Sequence, residues 1–384
     1  MDTRRNFMRK AAVGGIAGIV AAGVAPVYAK DTGTRKEVGV EEALAIHRKM
    51  LIIDGHNDTP VERVARKENP LKWDQRDPSY HTDIPKMKEG GYVGGFFIVG
   101  NGPTANVWIT LERTMQQVAL RPKDLMYVHT SKDMVRAGES GRIGIMMSIE
   151  GAARWVDGKP ELVGIFHRLG VRAIGITHGE GGTEPTMLQG TKSPYGPCTS
   201  ADREKERKDA GGLTSFGMEI HKESNRLGII TDLSHINDKA FFEVVERSEL
   251  PPVMSHTAVF SECPHYRCLT DDQIRALAAK GGVLGIAFAP MFIDPDPAKA
   301  TVDRVVDHIC RAADIGGIDC VGIGTDYDGL GTTVPVVPDV SQLPTLTRAM
   351  MARGLLEKDI RKVWGGNFLR VFKSCLDKPV PKNG

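Results

Sequence analysis

Short apolar runs that end in a histidine or a carboxylate recur along this chain of 384 residues. Such a run is typical of a buried parallel strand, whose last residue emerges at the carboxyl end of the sheet. The pattern predicts strands at residues 51–54, 94–99, 143–148, 171–176, 228–233, 251–254, 282–288 and 319–324. Helix-like segments lie between most of them. Eight alternating strands predict an α/β fold, a closed (β/α)8 barrel of the TIM type.

Three helices have clear boundaries in the sequence. Residues 40–50 predict a short helix before the first strand. Residues 215–227 have apolar positions at helical spacing, and Gly228 follows at the usual stop position. Thr270 and Gln273 have the spacing of a capping box, which opens a predicted helix over 274–280 that Gly281 ends.

Residues 179–212 form the one long irregular stretch that the pattern predicts. It is rich in Gly, Pro, Ser and Thr and ends in the charged run 202–209. A segment of this length is either a functional lid over the barrel mouth or a mobile surface loop. We favour the lid, because the stretch directly follows a predicted strand that ends in His178.

The first 29 residues have the order of an export signal. Arg4 and Arg5 form a twin-arginine pair, an apolar stretch follows over 11–25, and small residues precede a cleavage position after Ala29. We expect the twin-arginine export machinery to read this segment and to leave one domain, residues 30–384, in the periplasm or outside the cell. No stable membrane anchor would then remain. An uncleaved N-terminal anchor is the alternative.

Composition changes this interpretation little. Hydrophobic residues make up 41% and charged residues 26% of the chain, as in ordinary globular proteins. The net charge of +2 comes from the basic signal segment, so no charge pattern favours binding to nucleic acid or to an anionic membrane. The six cysteines lack zinc-finger spacing. The apolar surroundings of Cys310 and Cys320 in the sequence predict buried thiols. Cys263 and Cys268 lie in one loop and could be free or bridged.

Metal-ligating residues follow the predicted strands. The candidate ligands are His56, Asp58, Glu150, His235 and His256. Nitrogen and oxygen donors without thiolates suit a divalent metal that does chemistry, and five donors exceed what one catalytic zinc requires. Zinc fits best, although cobalt or manganese would also fit. We therefore predict two metal ions and an activated water or hydroxide between them.

The predicted ligands divide between the two ions. His56 and Asp58 would hold one ion, His235 and His256 the other, and Glu150 would bridge them. Asp326 follows the last strand and could accept a proton from the water.

The chain resembles the membrane (renal) dipeptidase family of binuclear zinc hydrolases, which have amidohydrolase-type barrels. The resemblance spans roughly residues 40–375. The matching motifs are Asp54-Gly55-His56-Asn57-Asp58, Ser148-Ile149-Glu150-Gly151, Thr177-His178, Asn225-Arg226-Leu227-Gly228, Asp232-Leu233-Ser234-His235, Ser255-His256, Gly324-Thr325-Asp326-Tyr327-Asp328-Gly329 and Gly366-Asn367-Phe368-Leu369-Arg370-Val371-Phe372.

The resemblance implies further roles. Glu150 would replace the carboxylated lysine of related barrels, and His178 would stabilise the oxyanion. Arg267 would bind the substrate carboxylate, its alternative being a solvated loop arginine. The family also implies a homodimer and tolerance of a C-terminal D-residue. The chain departs from the family after His178 and over residues 287–293, which leaves the substrate's identity open.

Three functions follow from these observations. The first is zinc-dependent hydrolysis of small dipeptides. The second is an amidohydrolase that acts on a lactone, cyclic amide or ester, for which Arg267 would be unnecessary. The third is a non-catalytic periplasmic binding protein, which would have no use for the proton acceptor Asp326.

Overall fold

The structure is a computed structural model and describes residues 36–65, 72–101, 106–156, 158–178 and 194–379. The predicted signal segment lies outside these ranges and stays a prediction. Residues 179–193, the first part of the predicted lid, also lie outside them. Within the described ranges, none of the helices combines the length and the apolar character that crossing a bilayer requires.

Parallel strands form the centre of the described structure. They are β1 Ile52–Asn57, β2 Tyr92–Asn101, β3 Leu125–Tyr127, β4 Ile143–Glu150, β5 Val171–Gly175, β6 Ile230–Asp232, β7 Val253–Thr257, β8 Val283–Ile286 and β9 Val321–Ile323. Their order is β2-β1-β9-β8-β7-β6-β5-β4-β3, and β2 also pairs with β4. That pairing closes eight strands into a barrel and leaves β3 outside. The predicted barrel is confirmed, with all eight predicted strands in it.

Strand β3 is the one that the sequence pattern did not predict. Its three residues pair with Ile143, Gly144 and Ile145 at the start of β4, whereas β5 pairs with later residues of β4. A three-residue strand beside the barrel lacks the long apolar run that marks a strand buried on both faces.

Helices surround the barrel. They are α1 Val40–His47, α2 Ile84–Glu89, α3 Val107–Leu120, α4 Ser131–Ser140, α5 Ala153–Val156, α6 Leu162–Arg168, α7 Ser200–Asp209, α8 Ser215–Leu227, α9 Asp238–Arg247, α10 Asp271–Ala279, α11 Pro290–Ile293, α12 Val302–Gly316, α13 Leu343–Ala352, α14 Glu357–Arg361 and α15 Asn367–Cys375. Helix α8 has the predicted bounds, and its stop residue Gly228 is left-handed with φ 74°. The capping box of Thr270 and Gln273 is also confirmed.

Helix α7 corrects the prediction that residues 179–212 are irregular. Thr199 and Asp202 form a capping box that starts the helix within the charged run. The pattern missed it because helix prediction depends on an apolar stripe, and α7 has none. Its only buried residue is Arg203.

The barrel interior is closed at the end opposite the carboxyl ends of the strands. Inward-facing Ile53, Phe96 and Met146 belong to an apolar cluster that also contains residues of α15. The ring of Phe96 packs on Phe368 and Phe372 of α15, at centroid distances of 5.4 and 5.6 Å. The carboxyl ends of the strands are therefore the end of the barrel at which a site can form.

All six cysteines are buried free thiols. Cys263 and Cys268, for which the sequence left a bridge open, are unbridged. Cys310 and Cys320 are buried as predicted.

Candidate metal centre

Six side chains converge at the carboxyl ends of the strands, and we call them the metal ring. They are His56, Asp58, Glu150, His178, His235 and His256. The strands explain the convergence, because parallel strands of a barrel all end at the same face. Glu150 is the last residue of β4, while His56 and His256 lie in the final residues of β1 and β7.

Glu150 lies in the middle of the metal ring. Its Oε1 is 2.9 Å from Nε2 of His235, 3.5 Å from Nε2 of His256 and 3.8 Å from Nε2 of His56. Its Oε2 is 3.5 Å from Nε2 of His178. The structure thus brings the predicted bridging carboxylate between the predicted ligand pairs.

The two predicted pairs are also formed. His56 Nε2 lies 3.1 Å from Asp58 Oδ2, and His235 Nε2 lies 3.1 Å from His256 Nε2. Donor atoms of His56, Asp58 and Glu150 form one group that could hold a metal, with every atom within 4.8 Å of the others.

Two further groups of the same kind differ from the prediction. One joins Glu150 and His235 with His178, and the other joins His56 and His256 with Asp232. The sequence did not single out Asp232 as a donor, although it lies three residues before His235.

Donor chemistry around Glu150 fits a metal. Its Oε1 is buried and makes no hydrogen bond of acceptable geometry, although three ring nitrogens lie within 3.8 Å. Buried polar atoms in native proteins are almost always satisfied. A cation at this point would satisfy the converging lone pairs together, so the residues present fit a metal centre.

The electrostatics of the metal ring favour a positive charge. Burial lowers the pKa of His56, but the carboxylates of Glu150 and Asp58 outweigh this effect and raise the pKa to about 10. A bound cation would supply the same charge. Burial and the nearby Arg267 lower the pKa of His235 to about 3, so that imidazole is neutral, as a ligand must be.

Buried aspartates hold the strand ends in position. Asp54 accepts hydrogen bonds from the backbone nitrogen of His56 at 3.2 Å and from that of Thr325 at 2.8 Å. Asp232 likewise accepts from the backbone nitrogens of Ser234 and Ser255, both at 3.0 Å. Each aspartate therefore connects its own strand end to that of a neighbouring strand.

These supporting residues were missed in the sequence analysis. Their positions in the sequence could have revealed them, since Asp54 lies two residues before His56 and Asp232 lies three residues before His235 in the same motifs. Burial raises the pKa of Asp54 to about 6, against the lowering effect of its hydrogen bonds to Thr325.

Asp326, which lies beside the metal ring, has a left-handed backbone conformation. Its φ is 61°, and His235 and Asp328 have φ of 68° and 66°. These are the non-glycine residues with left-handed φ in the described part of the chain, and all three lie at the barrel mouth. Such conformations cost about 1–3 kcal/mol each and cluster at functional sites.

The approach of Asp326 to Asp58 requires a glycine. A Cβ atom on Gly329 would lie 2.3 Å from Oδ2 of Asp58 and 2.7 Å from Oδ1 of Asp326. Burial and the neighbouring Asp58 raise the pKa of Asp326 to about 7, against the lowering effect of His56.

Arg267 is a buried residue of the site and not a solvated loop arginine. It is 8% exposed, and its Nη1 lies 3.0 Å from Nδ1 of His235. Its Nη2 donates to the carbonyl of His256 at 3.3 Å, and its guanidinium lies over the ring of Phe292 at 5.3 Å. The structure therefore places a cation beside the metal ring.

Comparisons with known proteins identify the family of this chain. The sequence profile of the membrane dipeptidase family (peptidase family M19) matches residues 40–378. The chain is 28% identical over 351 residues to Dipeptidase tcpJ of Claviceps purpurea (strain 20.1), covering 86% of this chain and 78% of that protein.

Two solved structures are also similar. One is a metallopeptidase from Rhodobacter sphaeroides liganded with a phosphinate mimic of the dipeptide L-Ala-D-Ala. It has a TM-score of 0.73 and 28% identity, and the match covers 84% of this chain and 99% of that one. The other is the dipeptidase AC of family M19, with a TM-score of 0.73, 28% identity and coverage of 85% and 99%.

The family match extends over nearly all of the described barrel, including every residue of the metal ring, Asp326 and Arg267. This protein is therefore a member of the membrane dipeptidase family, whose members are metal-dependent hydrolases.

Proposed function

We propose that this protein hydrolyses dipeptides with a free C-terminal carboxylate, using two divalent metal ions, with zinc the best match to the donors. The observation that carries the proposal is the position of Arg267 beside the metal ring, 3.0 Å from His235. A guanidinium this close to the metal ring can form a charge-assisted pair with a carboxylate that lies one residue from the attacked carbonyl. A dipeptide has this spacing.

The metal ring supplies enough donors for both ions. His56 and Asp58 would hold one, His235 and His256 the other, and Glu150 would bind both. When bound, the two ions would supply an activated water between them and stabilise negative charge on the substrate oxygen. Asp232 and His178 are nearby alternative donors.

Asp326 is the proposed proton acceptor. Burial and the neighbouring Asp58 raise its pKa, which favours uptake of a proton that the carboxyl group could then give to the leaving amine. Gly329 allows its carboxylate to lie close to Asp58. The strained backbone of Asp326 supports a functional role, because the structure retains an unfavourable conformation at this residue.

His178 is the proposed stabiliser of the developing oxyanion. Its side chain is 27% exposed, more than those of His56, His235 and His256, so it faces the space that a substrate would enter. An imidazole that can donate toward the attacked oxygen stabilises charge at that position.

We extend the proposal to substrates with a C-terminal D-residue. A solved relative binds a phosphinate mimic of L-Ala-D-Ala, which supports this extension. In the present chain the C-terminal residue would be held through its carboxylate by Arg267. A charge contact of this kind does not by itself select one configuration at the neighbouring carbon.

The test is hydrolysis by metal-reconstituted protein of a dipeptide panel that contains all stereochemical combinations. Each dipeptide is offered with a free and with an amidated C-terminus, beside a lactone and a cyclic amide. We expect turnover of free dipeptides, loss of activity on chelation and recovery with zinc.

Faster turnover of the lactone or cyclic amide than of every dipeptide would favour the amidohydrolase alternative. Equal turnover of free and amidated dipeptides would contradict the role of Arg267.

A further inference from the structure

Arg267 projects from the loop between β7 and α10, residues 258–270, which we call the Arg267 loop. The inner side of this loop is bound to the barrel. Thr257 donates from Oγ1 to the carbonyl of Arg267, and Arg267 donates from its backbone nitrogen to Nδ1 of His265 at 3.1 Å. These bonds fix where the side chain of Arg267 starts.

The outer side of the Arg267 loop is bound to a segment far away in the sequence, residues 194–209, which we call the α7 segment. Pro197 forms an antiparallel bridge with His265. Tyr266 donates from its backbone nitrogen to the carbonyl of Gly196 at 3.0 Å, and Cys198 donates to the carbonyl of Pro264 at 3.2 Å. The two segments therefore pair along their backbones.

Arg203 fastens the α7 segment to this loop. It is 5% exposed and is the only buried residue of α7. Its Nη1 donates to the carbonyl of Tyr266, the residue immediately before Arg267. Its Nη2 lies 2.5 Å from Oδ1 of Asp238 and 3.0 Å from Oε1 of Gln273.

The side-chain partners of Arg203 come from two helices that follow residues of the site. Asp238 begins α9, three residues after His235, and Gln273 lies in the first turn of α10, directly after the Arg267 loop. Gln273 also donates to Asp238 at 3.0 Å. One buried guanidinium thus connects the segments that carry His235 and Arg267.

Ion pairs of this kind are the main attachment of α7. The helix has no apolar face, and the second arginine that binds Asp238, Arg207, is half-buried. Burying Arg203 has a large desolvation cost, which the hydrogen bonds of Nη1 and Nη2 to Tyr266, Asp238 and Gln273 offset. Removing it would take away the buried attachment of the helix and leave the Tyr266 carbonyl without this donor.

The geometry points to Arg203 as a positioning residue for substrate recognition: we propose that it holds the Arg267 loop so that the Arg267 guanidinium meets the substrate carboxylate. The inference rests on the proposed function, because it assumes a substrate with such a carboxylate. Among the described residues, Arg203 makes no hydrogen bond to the metal ring or to the side chain of Arg267, and it acts through Tyr266 and Asp238.

The test compares Arg203→Met with the control Arg207→Met. Arg207 lies on the same helix and binds the same Asp238 at 2.9 Å, but it does not contact the Tyr266 carbonyl. For Arg203→Met we expect KM for free dipeptides to rise about tenfold with kcat little changed, since a misplaced binding group weakens recognition. The amidated dipeptides should be unaffected, and Arg207→Met should behave as the unaltered protein on both substrates.

A second variant and a binding measurement keep the test independent of folding and turnover. Arg203→Lys retains the charge beside Asp238 but cannot reach Tyr266, Asp238 and Gln273 together, so we expect only partial recovery. Calorimetric binding of a phosphinate dipeptide mimic, free and amidated, should show the same loss for the free acid only. Metal content and melting temperature are measured for every variant.

The outcomes separate the two proposals. If the unaltered protein does not prefer free over amidated dipeptides, the proposed function fails, and the role of Arg203 with it. If that preference exists but Arg203→Met and Arg203→Lys retain it in full, the positioning role alone is wrong. An equal loss with Arg207→Met would show that any weakening of α7 has this effect, and would also overturn the specific role of Arg203.

Discussion

The metal ring and the Arg267 loop lie beside each other but are held by different means. The ring side chains start from strand ends whose backbones are already paired in the barrel, and Asp54 and Asp232 connect those ends across neighbouring strands. The Arg267 loop depends on a helix and a backbone bridge from residues about 60 positions earlier. In the proposed function, chemistry would therefore depend on side chains at paired strand ends, and recognition of the substrate carboxylate on a loop held by a distant segment.

This difference has a consequence for variation. A strand end cannot move without disturbing the barrel, so changes there should remove activity altogether. A loop held mainly by hydrogen bonds to a distant segment can shift by small amounts and change which substrates are bound. Single substitutions in each region, together with acid unfolding, test this division.

Glu150→Gln should abolish dipeptide hydrolysis. The glutamine amide lacks the negative charge that the Glu150 carboxylate has between the imidazoles of the metal ring. The protein should therefore hold about one metal ion per chain or fewer, instead of about two. Elemental analysis and turnover measure both effects, with the exposed Glu204→Gln of α7 as control. Two retained ions with full activity would show that Glu150 does not bridge them.

Asp326→Asn should lower kcat by about 10²–10⁴-fold with KM little changed, because the role proposed for Asp326 lies in proton transfer. Asparagine has nearly the same shape and removes only the basicity. Steady-state kinetics over a pH range check this expectation, and the acidic limb of the kcat profile should disappear in the variant. A rise in KM without a change in kcat would place Asp326 in binding instead.

Arg267→Ala should lower kcat/KM for free dipeptides about 10–100-fold through KM, because a hydrogen bond to a charged group contributes about 1.5–3 kcal/mol. Amidated dipeptides should change little. Lysine should restore part of the loss, since it has the charge but not the planar geometry. If Arg267→Ala and Asp326→Asn gave the same kinetic pattern, the division between recognition and chemistry would be wrong.

Acid should destabilise the protein partly through His308, which is hydrogen-bonded to the backbone of the Arg267 loop. Its Nδ1 accepts from the backbone nitrogen of Val259, and its Nε2 lies 3.0 Å from the carbonyl of Ile293. Burial lowers its pKa from 6.5 to about 4. Between these values the unfolded chain binds a proton here that the folded chain does not, so the free energy of unfolding falls as pH decreases, by about 2 kcal/mol at pH 5.

Denaturant unfolding at pH 7.5, 6 and 5 measures this contribution. His308→Gln should be less stable at pH 7.5 by about 1–2 kcal/mol through lost hydrogen bonds, but should lose less stability on acidification. Parallel pH dependences for the variant and the unaltered protein would show that His308 is not the group responsible.

Much of the barrel and of the metal ring could be predicted from the sequence alone. Apolar runs that end in His56, Glu150 and His256 specify both a strand and the place where its last side chain emerges, and a closed parallel barrel brings all such ends to one face. The fold and the choice of five candidate donors follow from that one pattern. Strand β3 did not, because three residues outside the barrel have no such run.

The remaining features of the site depend on contacts between residues that are distant in the sequence. Helix α7 lacks an apolar stripe, so its position depends on Arg203 meeting Asp238 and Gln273, residues 35 and 70 positions away. The burial of Arg267 against Phe292, and the hydrogen bonds of Asp54 and Asp232 to neighbouring strands, join residues of different elements in the same way. Local patterns report which face of an element is buried, but buried ion pairs and hydrogen bonds between distant residues exist only once the chain has folded.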